Sequence, residues 1–543
     1  MKKSILLFFI FVSIFCFTNC DFYSQPENPQ EKPQNQQLGR TPDPVQVVKS
    51  YEKQSCDWLI IMYVDGDNDL HDALYTDLNE IEDALRKHEE KSGEKPIVKV
   101  VALWDGYKIT GSTIGSTATQ ILELGPDFNI NVKKLCSNTK DLTATAYSQN
   151  NNWLNYDPKS EIAETNMGDK NTLSNFLKWV DKYYDADHKI LQFANHGGGP
   201  RSVTGVPLRR ALCWDFSESS MQDVFLKTKD VSTALTEAGY GTDNKLDMLI
   251  FDICLGASIE DSYQFRNYAK YLLSSANLVP SYGNDYTAIL DHFTKTADAK
   301  DIGIGVINDF KTFYTETIVK YDKTWLSHWE HEIAYWKDYI KKNNLSLNPV
   351  DLAKFNYTGA ITLSLIDLSQ IENLSKNIDD LAAYIIENNK DINLNFKPLI
   401  DYKSYTEINK LIYQGTFTWL HDIGFFASNI YSESEKTSDI HKENLQQKSK
   451  AVIDALSNAI IFTWREGPSK KQNGGLSPAI DDSNADNSLY YGNNRPFGMT
   501  ISGAEITGSY LNYKDGNTPS FYQTDLDFGK DTCWADFLKL YFY

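Results

Sequence analysis

The sequence predicts an α/β fold, a mostly parallel sheet sandwiched by helices, with an additional mixed or helical region toward the C-terminus. Three observations carry this expectation. Four short runs are apolar almost without interruption, as strands buried on both faces must be. Between them lie segments whose leucines and isoleucines recur every three or four residues, as on one face of a helix. Strand and helix signals alternate along the chain, the order that a parallel sheet with crossover helices requires.

The chain opens on MKKSILLFFIFVSIFCFTNC, two lysines followed by an uncharged apolar run over 5–17 and a polar step to Cys20. That run is too short to span a bilayer, so 1–20 reads as an export signal. Cys20, directly after it, resembles the acylated cysteine of bacterial lipoproteins, although Phe17 and Asn19 stand where the usual pattern has leucine and a small residue. Residues 21–54 are dense in Pro, Gln and Asn and hold too little apolar surface to order themselves, so they read as a tether. The expected location is therefore outside the cytoplasm, in the periplasm or at the cell surface, with the lipid on Cys20 as the membrane contact.

Residues 55–320 carry the α/β pattern. WLIIMYV at 58–64, VKVVALW at 98–104, KILQFAN at 189–195 and MLIFDIC at 248–254 are the four strands, and KYLLSSA at 270–276 is a weaker fifth. Leu70, Leu74, Leu78, Ile81 and Leu85 form the stripe of a first helix, with Asp67 or Asn68 as its cap. Asn171 and Thr172 are placed to cap a second helix with Leu173, Phe176, Leu177 and Val180 inward; further helices are expected at 230–237 and 259–271. From 321 the character changes. Residues 314–342 read as a long aromatic-rich amphipathic helix, 370–388 and 449–464 as two more, and 470–496 as a polar, turn-rich loop. The region 321–543 is thus expected to form a second, accessory unit.

Composition bounds the function. The chain has 543 residues, 41% of them hydrophobic and 13% aromatic, enough for a sizeable core. Its formal charge of −20, with an isoelectric point near 4.9, repels a phosphate backbone and disfavours nucleic acid as a partner, while favouring cationic ligands. The seven cysteines, Cys16, Cys20, Cys56, Cys136, Cys213, Cys254 and Cys533, include no C-x-x-C pair, so a structural zinc site is not expected. If Cys16 leaves with the signal and Cys20 is lipidated, an odd number remains and at least one thiol is unpaired.

The stretch LQFANHGGGP at 191–200 leaves an apolar run, presents His196 and continues as three glycines. In a parallel sheet, ligands bind outside the carboxyl ends of the strands. His196 follows the third strand and Cys254 ends the fourth, so neighbouring strands would bring the two side chains to one edge. An imidazole beside a thiol is the pairing that a cysteine nucleophile needs, and a helix starting near Ile259 would favour the thiolate. The glycines let the amide of Gly197 approach and, with that of Cys254, bind an oxyanion. The 58 residues from His196 to Cys254 are close to the roughly 50 of the caspase order. An α/β-hydrolase esterase is the competing enzyme class because HGGG also marks lipase oxyanion loops, but the chain lacks G-x-S-x-G, as it lacks the papain-type C-G-S-C-W.

Several blocks in order, WLIIMYVDGDNDLHDALYTDLNEIE, MGDKNTLSNFLKWV, ANHGGGP, ALCWDFSESS, FDICLGASIE and SSANLVPSYGNDY, with GMTIS and FYQTDLDFGKDTCWADFLKLY near the end, resemble the signature blocks of the clostripain family of cysteine peptidases. The resemblance implies a caspase-like catalytic domain over 55–320, Cys254 as nucleophile, and His196 as general base and acid. It implies that Asp252 lies at the specificity pocket and that the substrates are proteins or peptides cut after Arg or Lys, since a buried carboxylate prefers a guanidinium or ammonium partner. The second pocket acid departs from the family: Tyr282 stands at the usual aspartate position, and Asp285 is the acid nearby. The resemblance also implies a zymogen that cuts itself between the His and Cys strands, here expected at Arg210-Ala211, with Arg209 and Arg201 as alternatives.

No cofactor is expected. Some relatives need calcium, which makes Asp65, Asp67 and Asp69 of DGDNDL weak metal candidates, although Leu70 and Thr76 break the EF-hand pattern. The chain is expected to be a monomer. The reading set against the enzyme is a catalytically silent surface lipoprotein that keeps the fold as a binding scaffold.

Overall fold

A computed structural model of the chain describes residues 53–88, 95–106, 119–126, 138–140, 165–199, 212–215, 225–277, 279–280, 282–317, 362–392, 420–465, 498–502 and 521–542, with short pieces at 334, 337–338, 341–342, 394, 469–470 and 490–491. The export signal with Cys20 and nearly all of the tether lie outside the described residues. So do Arg201, Arg209, Arg210 and Ala211, and most of the helix expected at 314–342 and the loop at 470–496.

Five parallel strands form the centre: β1 (Gln54–Gly66), β2 (Val98–Gly106), β5 (Tyr184–Ala194), β8 (Leu246–Asp252) and β9 (Ala269–Ser274). They lie in the order β9-β8-β5-β1-β2, each pair parallel. β3 (Gln120–Leu124) and β4 (Asn138–Lys140) add antiparallel strands beyond β2. Successive side chains of a strand point to opposite faces, and here both faces are covered, which is why the sequence shows no polar alternation. Trp58, Ile60, Met62 and Val64 pack on one side with α1 (His71–Lys87) and α6 (Ala299–Thr312). Leu59, Ile61 and Tyr63 pack on the other with α2 (Lys170–Tyr183), α3 (Thr228–Glu237) and α4 (Ile259–Phe265). Each fully buried Leu or Ile contributes roughly 1.5–3 kcal/mol.

The expected accessory unit is instead part of this body. β10 (Thr362–Asp367) pairs antiparallel with β9, and β12 (Ile460–Arg465) with β10, extending the same sheet to nine strands. Leu374 and Ile378 of α7 (Ile371–Glu387), Val452 of α9 (Asp439–Ala459) and Trp534 join the apolar layer that contains Phe193 and Phe251. A boundary at 321 therefore separates no second core; the later strands cover the edge of β9 that would otherwise present unpaired backbone.

Three local expectations shift. The helix read over 449–464 is α9 followed by β12, and the helix read over 259–271 ends at Phe265 because the next apolar run is β9. Asp169, not Asn171 or Thr172, caps α2, its side chain accepting the Asn171 amide at 2.8 Å. Among the described residues no helix is long and apolar enough to cross a membrane.

Candidate active site

The tips of β1, β5 and β8 lie side by side, with Val64 beside Ala194 and Ala194 beside Asp252. Asn195 binds them together. Its amide donates to the Asp252 carbonyl at 3.4 Å, its Nδ2 donates to the Asp65 carbonyl at 2.5 Å, and its Oδ1 accepts the His196 amide. Just beyond these tips, His196 and Cys254 line one cavity together with Asp252 and Asp77. The two residues expected at one sheet edge are at one sheet edge, His196 8% exposed and Cys254 5%. Asn195 escaped the sequence reading; its signal was a polar amide closing an apolar strand directly before the histidine.

Cys254 sits two residues past the end of β8, where the expected strand had included it. Its Sγ lies against the backbone of Val279, accepting the amide at 3.3 Å, and is 3.7 Å from the carbonyl, to which the thiol can donate. Leu255 follows with φ +63°, a left-handed conformation that costs a leucine about 1–2 kcal/mol and turns the chain sharply behind the sulfur. Its amide is tied to the Asn277 carbonyl at 2.9 Å. The helix expected to favour a thiolate is α4, only seven residues long, with Ser258 accepting the Asp261 amide and with Glu260 and Asp261 buried in its first turn. Burial pushes Asp261 up to about 7. The positive end of α4 is thus already neighboured by acids.

The other described thiols are poor nucleophiles. Burial pushes Cys56 and Cys533 up to about 12 each, and Cys213, fully buried beside Asp65, well above its ordinary value. Among the described residues none of the four cysteines is in a disulfide.

His196 Nε2 is 2.8 Å from Asp69 Oδ1. Asp69, one of the metal candidates of the sequence, is thus a partner of the imidazole. Asp65 Oδ1 accepts the Asp67 amide at 3.2 Å, and Asn68 Oδ1 accepts the Leu70 amide at 2.9 Å ahead of α1. Among the described residues no group of three or more His, Cys, Asp or Glu side chains is placed to hold a metal ion.

Gly197 lies directly on the nucleophile's backbone. A Cβ at this position would meet the Cys254 carbonyl oxygen at 2.2 Å and the Cys254 nitrogen at 2.9 Å. The contact explains the first of the three glycines: no side chain fits between the β5 and β8 tips, and the Gly197 and Cys254 backbones stay adjacent.

Asp252 is held at the cavity by Tyr286, whose hydroxyl donates to Oδ2 at 2.5 Å, and by the Asn284 amide at 3.3 Å. Gly283, at φ +57°, lets the loop close over it, since a Cβ there would fall 2.8 Å from Oδ2. Burial raises the Asp252 carboxyl, and the Tyr286 and Asn284 hydrogen bonds partly offset it. Asp285, expected as the second pocket acid, is not among the cavity's walls; it starts the short helix α5 (Tyr286–Ile289) and accepts the Thr287 hydroxyl at 2.5 Å. Tyr282 is 43% exposed. An acid that the sequence reading passed over, Asp77 of α1, lines the cavity in its place. Its signal was present in the spacing: Asp77 lies three residues after Leu74 and four before Ile81, on the apolar face of the helix.

Residues 212–215 follow the expected self-cleavage site. Leu212 and Cys213 are buried in β6 (Leu212–Trp214), which pairs with β7 (Phe225–Leu226), and the Asp215 carboxylate accepts the Met167 amide at 2.9 Å. The chain on the far side of Arg210-Ala211 is therefore anchored near the β1 and β5 tips.

Residues 62–541 match the family described as the clostripain family. Clostripain of Hathewaya histolytica is 24% identical over 477 residues, which cover 82% of this chain and 78% of that protein. The X-ray structure of a secreted cysteine protease from Bacteroides thetaiotaomicron superposes with a TM-score of 0.51 at 14% identity, covering 88% of this chain and 99% of that one.

Proposed function

As a member of the clostripain family this chain is a cysteine peptidase, and we propose that it cuts peptide bonds after Arg or Lys, with Cys254 as nucleophile and His196 as its general acid and base. The observation that carries the reading is the cavity at the β5 and β8 tips, which His196, Cys254 and Asp252 line together.

In the first half of the reaction the Cys254 sulfur, giving up its proton to His196, forms a bond to the scissile carbonyl carbon. The oxygen takes the negative charge, facing the adjacent amides of Gly197 and Cys254. As the C–N bond breaks, His196 returns the proton to the leaving amine. Water then attacks the thioester carbonyl, His196 accepts its proton, and the C–S bond breaks to restore the thiol. His196 Nε2 faces Asp69, so the carboxylate can orient the ring through this exchange. Activation requires the thiol to leave the Val279 carbonyl, while the Val279 amide can stay on the sulfur as a donor to the thiolate.

The same reading extends to processing and location. Self-cleavage at Arg210-Ala211 would free a new terminus one residue before the buried β6, and the N-terminal 54 residues would export a monomeric enzyme and tether it through Cys20. Purified wild type should run as two bands on a denaturing gel and Cys254→Ala as one; two bands from the variant defeat self-processing. A Cys20→Ser protein should leave the membrane fraction, and one that stays there defeats the anchor. A mixed peptide library cut without preference for Arg or Lys defeats the specificity.

A further inference from the structure

The cavity contains a second buried acid. Asp77 is 6% exposed, lines the same cavity as Asp252, His196 and Cys254, and forms no hydrogen bond or ion pair with another described residue. Leu74 and Leu78 of α1 are buried beside it. A carboxylate held mostly out of water beside apolar side chains is costly, and folds retain such a group where something outside the chain completes it. Asp252 is differently placed: its Oδ2 is already shared between the Tyr286 hydroxyl and the Asn284 amide. It can offer a basic side chain little more than one face.

We propose that Asp77 is the second carboxylate of the pocket that receives the basic side chain of the substrate, acting opposite Asp252 and taking the place that Asp285 does not fill. The inference rests on the Arg and Lys reading above. A planar guanidinium carries donors on two edges, so two acids reaching the cavity from different elements, α1 and the end of β8, can each take one edge. Supporting this, burial raises the Asp77 carboxyl well above the ordinary range, and the charges of Asp252 and of Glu80, one turn along α1, raise it further. A cation entering the cavity relieves that repulsion, which ties the binding of a basic residue to this particular carboxylate.

The test compares three peptides that differ only in the residue before the cut, namely Arg, Lys or citrulline, the last keeping the shape of Arg without its charge. Wild type should prefer Arg and Lys strongly. Asp77→Asn should lower kcat/KM for Arg and Lys by about 10–100-fold, the worth of a charged hydrogen bond, while citrulline changes by less than about threefold. Iodoacetamide alkylation of Cys254, which needs no such pocket, should proceed at the wild-type rate. An unchanged preference for Arg over citrulline in Asp77→Asn overturns the proposal, as does an equal fall for all three peptides. Loss of a cooperative melting transition in both Asp77→Asn and Asp77→Ser also overturns it, by making Asp77 a structural group. A wild type that ignores Arg and Lys altogether refutes the underlying specificity instead, a result readable without any variant.

Discussion

Replacing Gly197 by alanine adds one methyl group at the point where the two strand tips meet. The new Cβ would lie 2.2 Å from the Cys254 carbonyl oxygen and 2.7 Å from the Ile253 Cβ, where contacts below 3.0 Å essentially do not occur. The partners are backbone and a buried branched side chain, so no rotamer change relieves the clash, and the tips of β5 and β8 must separate by about 0.8 Å. Displacements near 1 Å at a reacting centre cost on the order of 100-fold, and overpacking of this kind costs about 1–3 kcal/mol of stability. Gly197→Ala should therefore still fold, melt at a lower temperature, and lose about 100-fold in kcat/KM on an Arg peptide. Thermal melting and steady-state kinetics on the same preparation separate the two effects. Activity within about threefold of wild type would refute the argument, because the backbones would then not be pinned where the structure has them.

Two other predictions follow from the same geometry. Asp69→Asn removes the charged partner of His196 Nε2; because Asp69 is 30% exposed, the expected loss in kcat is near the low end, about 10-fold, with KM little changed and Asp69→Glu restoring part of it. Equal kcat values in wild type and Asp69→Asn would remove Asp69 from the mechanism. The third concerns stability. His421, 5% exposed in β11 (Leu420–Asp422), is pushed down to about 3 by burial. The unfolded chain gains a proton there below about pH 6.5 while the folded chain does not, so this group lowers stability as pH falls from about 6.5 toward 3. Between pH 7 and pH 5 wild type should lose about 2 kcal/mol more than His421→Gln; parallel losses in chemical denaturation would contradict the buried, neutral imidazole.

The central strands were legible because both faces of the sheet are covered, which turns each strand into an unbroken apolar run. The same cause hid β12: IIFTWR continues the apolar pattern of α9, and periodicity alone does not tell a buried strand from one more turn of helix. β10 and β12 are also joined to the sheet by antiparallel pairing from far along the chain, so no strand–helix alternation announced them, and the region read as a separate unit. At the site, His196 and Cys254 were legible because each directly follows an apolar run whose neighbour in the sheet could be inferred. Asp69 and Asp77 were not, because their roles depend on how α1 and the loop before it lie over the strand tips. Asp285 was chosen by proximity in sequence, and the turn it opens carries its side chain away from the cavity.

The central claim is that one cavity delivers the Cys254 sulfur and the His196 imidazole to the same peptide bond. The most direct measurement treats the protein with an Arg-terminated peptidyl chloromethyl ketone and maps the adduct by mass spectrometry in wild type, Cys254→Ser and His196→Ala. One adduct on Cys254 is expected in wild type, none in Cys254→Ser, and a rate at least about 100-fold lower in His196→Ala. An adduct on Cys56, Cys213 or Cys533, or labelling of Cys254 at an undiminished rate without His196, would contradict it.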